Sequence, residues 1–163
     1  YPLHIGVTEA GTVNSGKIKS AVGIGALLLQ GIGDTVRVSL TGDPVEEVYT
    51  AKKILSACGL RKEAVEIVSC PTCGRTKVDL EKIANIVEAE LTPIGEKRRS
   101  GGKANLKIAV MGCEVNGPGE AREADFGVAC GNGRALVFVK GMPYKNIEED
   151  EIIPTLKELA EKY

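Results

Sequence analysis

Three cysteines and one glutamate carry the strongest chemical signal in this sequence. Cys70 and Cys73 form a C-x-x-C pair within SCPTCGRT, a spacing that lets two thiolates reach one metal centre from a single turn. Cys113 and Glu120 lie on either side of the run EVNGPG, whose glycines and proline favour an irregular loop. Three thiolates leave one coordination position open, and Glu120 is the candidate to fill it.

The C-x-x-C pair alone is also compatible with a zinc half-site or a redox dithiol. A zinc ribbon needs a second C-x-x-C or a Cys/His pair, and the only histidine is His4, far away in the sequence. A thioredoxin-like dithiol should end a strand and open a helix, which the residues around the pair satisfy only loosely. Metal binding and redox chemistry both remain open at this point.

The two other cysteines are predicted to be structural. Cys58 shares one face of a predicted helix with Val48, Ala51 and Leu55, which is typical of a buried apolar residue. Cys130 ends the strand-like stretch DFGVAC, where a small apolar thiol suits a core position.

Composition limits the class of protein and its partners. The 163 residues carry a formal net charge of −1, which gives no electrostatic reason to expect nucleic acid or an anionic membrane surface as a partner. The longest apolar run is interrupted by glycine and is too short to span a bilayer. An odd count of five cysteines without a secretory leader argues against a disulfide scaffold and favours a cytoplasmic location.

The chain is predicted to be α/β, with a domain boundary near 60–65. Asp43 and Asp79 are expected to be helix N-caps, and EKRRSGGK at 96–103 is expected to be a solvated linker, with docking of an acidic electron donor or phosphate as the alternative. The predicted strands are 2–8, 35–40, 64–69 and 106–111, a hairpin surrounds GNGR, and the predicted helices are about 15–30, 44–58, 79–91 and 148–162.

The first two predicted strands alternate between apolar and polar residues. Val36 and Val38 point one way and Arg37 and Ser39 the other, whereas open parallel sheets are normally apolar on both faces. The last two βα units of a (β/α)₈ barrel explain the alternation, with a one-sided antiparallel sheet as the alternative. Because the chain opens at Tyr1 inside a strand-like stretch, we expect it to be a fragment of a longer protein.

Four ordered motifs closely resemble the bacterial 4-hydroxy-3-methylbut-2-enyl diphosphate synthases of the non-mevalonate isoprenoid pathway. They are YPLHIGVTEAG, GIGDTVRVSLTGDP, SCPTCGRT and MGCEVNGPGEAREADFGVA, and they cover nearly the whole chain. The resemblance implies the end of a TIM-type barrel over 1–62. Over 63–163 it implies a small α/β iron–sulfur domain similar to those of sulfite and nitrite reductases.

The resemblance also implies the cofactor and the reaction. A [4Fe-4S] cluster would be held by Cys70, Cys73, Cys113 and Glu120. The reaction is reductive ring opening and dehydroxylation of 2-C-methyl-D-erythritol 2,4-cyclodiphosphate, with flavodoxin or ferredoxin as electron donor. The expected assembly is a homodimer, and the fragment alone is expected to be inactive. An iron–sulfur electron-transfer module and a structural zinc domain are the alternative functions.

Four further residues are assigned with alternatives. Glu9 matches a family acid that faces the substrate, and Asn116 is placed to hydrogen-bond a cluster sulfide or the substrate unless it only forms the turn. Arg75 is expected to offset the negative charge of the cluster unless it is a solvated surface residue. Glu114 follows Cys113 where the family usually has an apolar residue, so a swap of carboxylate ligands with Glu120 has to be considered.

Overall fold

The computed structural model describes residues 1–113 and 121–163, which form two compact units. The units are Tyr1–Lys62 and Glu63–Tyr163, the same ranges as the two domains predicted from the sequence. Within the described ranges, no helix combines the length and the apolar character needed to cross a membrane. Each unit is described below by itself.

The first unit consists of two βα repeats. Its elements are β1 (His4–Gly6), α1 (Val13–Leu28), β2 (Thr35–Arg37) and α2 (Pro44–Ala57). β1 and β2 pair in parallel, with Ile5 opposite Val36, so the predicted βαβα order is confirmed and the antiparallel alternative is wrong. Both strands are shorter than predicted. Asp43 caps α2 as expected, because its carboxylate accepts the Val45 N–H at 2.9 Å.

The alternation along the two strands separates a packed side from a polar side. The packed side joins the two helices in one core cluster of Ile5, Ile24, Leu28, Val38 and Ile54. On the polar side, His4 Nδ1 and Thr35 Oγ1 are hydrogen-bonded at 2.7 Å, and both residues are exposed. His4 is therefore not a core residue, although its ring has a hydrogen-bond partner.

The predicted buried face of α2 is confirmed in part, because Ala51, Leu55 and Cys58 pack against the core. Thr50 and Ile54 are buried, whereas Val48 is 53% exposed and Cys58 is half-buried against the core. The prediction used apolar residues alone, so it centred the buried face near Val48. The polar residue Thr50 is in fact buried, which moves the centre of the face away from Val48. Glu47 also lies on that side, where its carboxylate accepts the Leu40 N–H at 2.8 Å.

In its described residues, the second unit is a five-stranded sheet with two helices packed against it. Its elements are β3 (Val65–Ser69), α3 (Leu80–Ser100), β4 (Leu106–Met111), β5 (Phe126–Cys130), β6 (Arg134–Val139), β7 (Met142–Glu148), a 3₁₀ turn (Glu149–Glu151) and α4 (Ile152–Lys162). The strands lie in the order β3-β4-β5-β6-β7. β3, β4 and β5 are parallel, and β6 and β7 continue the sheet antiparallel to their neighbours. The predicted hairpin between β5 and β6 is confirmed.

β7 was not predicted from the sequence, which indicated no element between the hairpin around GNGR and a helix that begins at about residue 148. A two-residue turn of Lys140 and Gly141, both with positive φ (50° and 74°), folds β7 back onto β6. The strand gave little signal because it lies at the edge of the sheet, buries only Ile147 and contains Pro143. The helix that follows begins at Ile152.

α3 is longer than predicted, and the predicted linker at 96–103 is wrong over its first five residues. The helix begins at the cap Asp79, whose carboxylate accepts the Lys82 N–H at 3.1 Å, and it continues to Ser100. Pro93 and Gly95 resemble a helix end in sequence, but Pro93 lies on the exposed side of the helix. Gly95 is buried where α3 packs against the start of β3.

Replacing Gly95 by alanine should destabilise this unit although alanine favours helices. An added Cβ would overlap the Val65 side chain and approach the Ala64 carbonyl oxygen to 3.0 Å. We expect Gly95→Ala to lower the free energy of unfolding by about 1–3 kcal/mol in urea denaturation. Asn85→Ala, at an exposed position of the same helix, is the control and should be neutral or slightly stabilising. Equal stability of Gly95→Ala and the parent chain would contradict the close packing.

Candidate cysteine ligand site

The ends of β3 and β4 bring two distant parts of the sequence together. Cys70 directly follows β3, and Cys113 lies two residues after β4. The two strands are parallel neighbours, with Ser69 opposite Val110, so their carboxyl ends meet at one edge of the sheet. There the Gly112 N–H donates to Cys70 Sγ at 3.3 Å. The backbone that carries Cys113 is therefore in direct contact with the sulfur of Cys70.

Gly112 is required for this contact, and sequence reasoning missed it. A Cβ at this buried position would lie 2.9 Å from Thr76 Cγ2 and 3.0 Å from Leu80 Cδ2. Only glycine lets the backbone pass between these side chains and the Cys70 sulfur. An N–H donor at a thiolate stabilises its negative charge. The sequence feature that could have identified Gly112 is a glycine immediately before a candidate ligand and at the end of a predicted strand.

Cys73 lies in a turn that Thr76 closes. The Thr76 N–H donates to the Cys73 carbonyl oxygen at 3.0 Å, and the Cys73 N–H donates to Thr76 Oγ1 at 3.1 Å. The Thr76 hydroxyl also lies 4.0 Å from Cys73 Sγ as a donor. Sequence reasoning missed Thr76 as well, although a threonine three residues after a cysteine is placed for this reciprocal pairing.

The surroundings of Cys73 favour its thiolate form. Its pKa is lowered from the ordinary value, first by a hydrogen bond from the Arg75 backbone N–H and then by one from the Arg75 side chain. The Thr76 hydroxyl contributes in the same direction. The thiolate is the form that binds metals, and Cys73 is exposed to solvent. Arg75 is thus hydrogen-bonded to the Cys73 sulfur. Its predicted role, to offset the negative charge of a bound cluster, stays a prediction.

The two cysteines predicted to be structural differ from this site. Cys130 is fully buried in the sheet, and burial, followed by the nearby charges of Glu149 and Cys70, raises the pKa of its thiol to about 12. It is therefore a neutral core residue, as predicted. Cys58 belongs to the first unit. None of the five cysteines forms a disulfide.

The described residues do not form a compact binding site for a single metal ion. Within 1–113 and 121–163, no three Cys, His, Asp or Glu side chains are grouped closely enough to hold one ion. A four-iron cluster has a different requirement, because each ligand binds its own iron. The chemistry of the donors fits such a cluster: the thiols are free, Cys73 has a lowered pKa, and Cys70 accepts an N–H.

Three predicted site residues, Glu114, Asn116 and Glu120, lie outside the described residues. The described residue after them, Ala121, is buried in the same cluster as Met111 at the end of β4. Glu9 lies in the first unit, three residues after the end of β1, and is exposed. Its φ of 55° is uncommon for a residue other than glycine, and such backbone is frequent at functional sites.

The lowered pKa of Cys73 predicts early reaction with alkylating agents. In the cluster-free chain, we expect iodoacetamide to modify Cys73 with a lower pH midpoint in the folded protein than after unfolding in urea. Arg75→Gln should raise the midpoint only in part, because the backbone N–H of residue 75 remains. Mass spectrometry of the modified peptides measures the midpoint. Lys77→Gln, which removes an exposed charge nearby, is the control, and a midpoint in the folded parent chain equal to or above that of the unfolded chain would contradict the structure.

Comparison with known proteins agrees with the division into two units. A family model described as "GcpE TIM-barrel domain" matches residues 1–52, and one described as "GcpE protein C-terminal domain" matches residues 66–162. The second match includes Cys70, Cys73 and Cys113, and the first includes Glu9.

Curated relatives match the chain from end to end. It is 57% identical over 162 residues to a 4-hydroxy-3-methylbut-2-en-1-yl diphosphate synthase (flavodoxin) from Caldanaerobacter subterraneus subsp. tengcongensis. It is 56% identical over 161 residues to a protein of the same name from Clostridium perfringens. Each match covers 99% of this chain but only 43% and 44% of the relatives, so the chain spans less than half of their length. The resemblance drawn from the four motifs is confirmed, and this chain belongs to the GcpE family.

Proposed function

We propose that this chain is the cluster-binding C-terminal part of an iron–sulfur oxidoreductase of isoprenoid biosynthesis. The proposed reaction opens the ring of 2-C-methyl-D-erythritol 2,4-cyclodiphosphate and gives 4-hydroxy-3-methylbut-2-enyl diphosphate. Two electrons and two protons are taken up, and the oxygen removed leaves as water. The observation that carries the proposal is the 57% identity over 162 residues to a relative named for this product and for flavodoxin.

The proposed ligands of a [4Fe-4S] cluster are Cys70, Cys73, Cys113 and Glu120. The contact between Cys70 and Gly112, the lowered pKa of Cys73 and the position of Glu120 directly before the buried Ala121 support this set. A bound cluster would supply single electrons, and an iron held by the Glu120 carboxylate would offer an exchangeable coordination position. A carboxylate suits this exchange because it is a harder and more replaceable ligand for iron than a thiolate.

The residues around the sulfurs adjust the charge at the site. The Gly112 N–H and the Arg75 side chain both stabilise negative charge on the ligand thiolates. Such compensation favours the uptake of an electron at the site. Asn116 is proposed to hydrogen-bond a cluster sulfide or the substrate. Glu9 is proposed as a general acid that faces the substrate from the mouth of a barrel.

The rest of the relatives' length is proposed to complete the enzyme. A chain that spans 43% of such a relative would bind a cluster without turning over substrate by itself. The fold of the second unit is proposed to be of the sulfite and nitrite reductase type, and the electron donor to be flavodoxin or ferredoxin. A cytoplasmic location also remains part of the proposal.

Assembly as a homodimer is proposed from the surface of the first unit. α1 exposes Ile18 and Val22, each 67% exposed, and α2 exposes Val45 and Val48, each 53% exposed. β1 and β2 form a two-stranded sheet whose outer edges have no strand partner in the described part of the chain. Apolar side chains and open strand edges are commonly covered by association. In the whole enzyme, the cluster domain would cap the barrel of the partner.

Anaerobic purification followed by metal analysis tests the proposed cofactor. We expect a brown chain with about four irons and matching sulfide per molecule. Cys70→Ser, Cys73→Ser and Cys113→Ser should each lower the iron content severalfold, whereas the control Cys58→Ser should keep it. Colourless protein with zinc and no sulfide would support a structural zinc domain instead. Equal iron content in all four variants would contradict the ligand set.

Three carboxylate variants test the fourth ligand in the complete protein. Glu120→Cys should keep the iron content but abolish catalysis, because a thiolate is not readily displaced by a substrate oxygen. Glu120→Ala should lose iron in air more readily, and Glu114→Ala should behave like the parent protein. Iron content and the substrate-induced change in the paramagnetic resonance spectrum are the measurements.

If Glu114→Ala loses the cluster while Glu120→Ala is unaffected, the wrong carboxylate has been assigned. A normal cluster in all variants with no substrate response in the parent would contradict an iron–sulfur enzyme and favour an electron-transfer module.

A further inference from the structure

A second feature of the cluster-binding unit lies at the far end of α3. The last turns of the helix border a groove of about 610 Å³. Its lining includes Pro93, Ile94, Lys97, Arg98, Lys103 and Glu161. α3 is 21 residues long and so spans about 30 Å, and its first residue, Leu80, is the one packed near Gly112. The groove is therefore well separated from the cysteines.

Arg98 is the unusual residue of this groove. It is only 8% exposed, and its Nε and Nη1 atoms have no hydrogen-bond partner in the described part of the chain. A guanidinium stays charged at all physiological pH values, and burying unpaired donors of a charged group is costly. Buried charges are normally paired, but these two nitrogens of Arg98 have no acceptor among the described residues. The groove that Arg98 lines gives such an acceptor a path of entry.

The packing of α3 and the hydrogen bonds at its end fix the position of Arg98. Arg98 continues the buried face of α3 that includes Leu91 and Gly95. The Gly101 and Lys103 N–H groups donate to the Arg98 carbonyl oxygen at 3.0 and 3.1 Å. These bonds fold the chain after α3 back over the helix end and bring Lys103 to the groove. They also occupy a carbonyl at the negative end of the helix, which would otherwise disfavour an anion.

The charges around the groove indicate the kind of ligand. Among the described residues that line the groove, Lys97, Arg98 and Lys103 are basic and only Glu161 is acidic, so an anion with more than one negative charge matches the site. The planar fork of arginine pairs well with the oxygens of a phosphoryl group. Pro93 and Ile94 add an apolar wall beside the basic residues. A surface carboxylate of another protein can reach Lys97 and Lys103, which are exposed, but an almost buried guanidinium requires a small anion that enters the groove.

We propose that this groove binds the phosphate or diphosphate group of a small organic molecule, with Arg98 as the central contact. Lys97 and Lys103 would hold the outer oxygens, and an apolar part of the ligand would lie against Pro93 and Ile94. The site is separate from the cysteines, and the proposal does not depend on the iron–sulfur chemistry.

Titration of the 163-residue chain with inorganic diphosphate tests this proposal. At low ionic strength, we expect saturable shifts of the backbone amide resonances of 93–103 in ¹H–¹⁵N spectra, and one binding site by calorimetry. Arg98→Gln should weaken binding about tenfold or more, because it removes a charge-assisted contact. Lys103→Gln should weaken it several-fold. The control Arg99→Gln removes an equal charge from a neighbouring residue that does not line the groove, and it should leave the affinity unchanged.

Several outcomes would overturn the proposal. They are the absence of saturable shifts at 93–103, an affinity that neither Arg98→Gln nor Lys103→Gln changes, and acetate binding as tightly as diphosphate, which would identify a carboxylate site instead. Lys103 is exposed, so Lys103→Gln should fold normally and decides the question even if Arg98→Gln does not fold.

Discussion

The parallel pairing of β3 with β4 is the interaction on which the candidate site depends. It places Cys70 and the backbone before Cys113 at one sheet edge, although more than forty residues and the whole of α3 separate them in sequence. A slip by one residue would turn every side chain of a strand to the opposite face and would separate Gly112 from the Cys70 sulfur. The buried core on both sides of β4 fixes the register, because Ile108, Ala109 and Val110 are all fully buried.

The same unit gives its cysteines opposite chemical environments. Cys73 lies in an exposed turn where hydrogen bonds from Arg75 and Thr76 favour the thiolate and lower its pKa. Cys130 lies in the middle of the core, where burial keeps the thiol neutral and raises its pKa to about 12. The difference arises from local structure rather than from residue type: a tight turn directs N–H groups at a sulfur, whereas a packed strand surrounds it with apolar atoms.

Features with a local physical cause were predictable from the sequence, and features that depend on packing between elements were not. The caps Asp43 and Asp79 and the β5–β6 hairpin follow from short-range chemistry and were predicted. The continuation of α3 past Pro93 was not, because Gly95 packs closely against β3 and a glycine there resembles a helix end. In the same way, β7 has the weak pattern of an edge strand with one buried side chain.

The candidate site shows the same limit. The cysteines were identified by residue type and spacing, but the contribution of Gly112 is a backbone N–H that has no side-chain signature. Thr76 acts through a pairing that depends on the shape of the turn. The burial of Arg98 was not predicted for a related reason: its segment was expected to be a solvated linker, and only the packed helix buries it.

The contacts of Gly112 have a consequence for the order in which a metal centre would be built. The Cys70 sulfur is held by an N–H whose own position is fixed between Thr76 and Leu80, so its direction is set before any metal arrives. Cys73 lies on an exposed turn, and its side chain is not enclosed by packed neighbours. Cys70, whose sulfur is already oriented, would then bind a metal centre first, and the exposed Cys73 would bind after it.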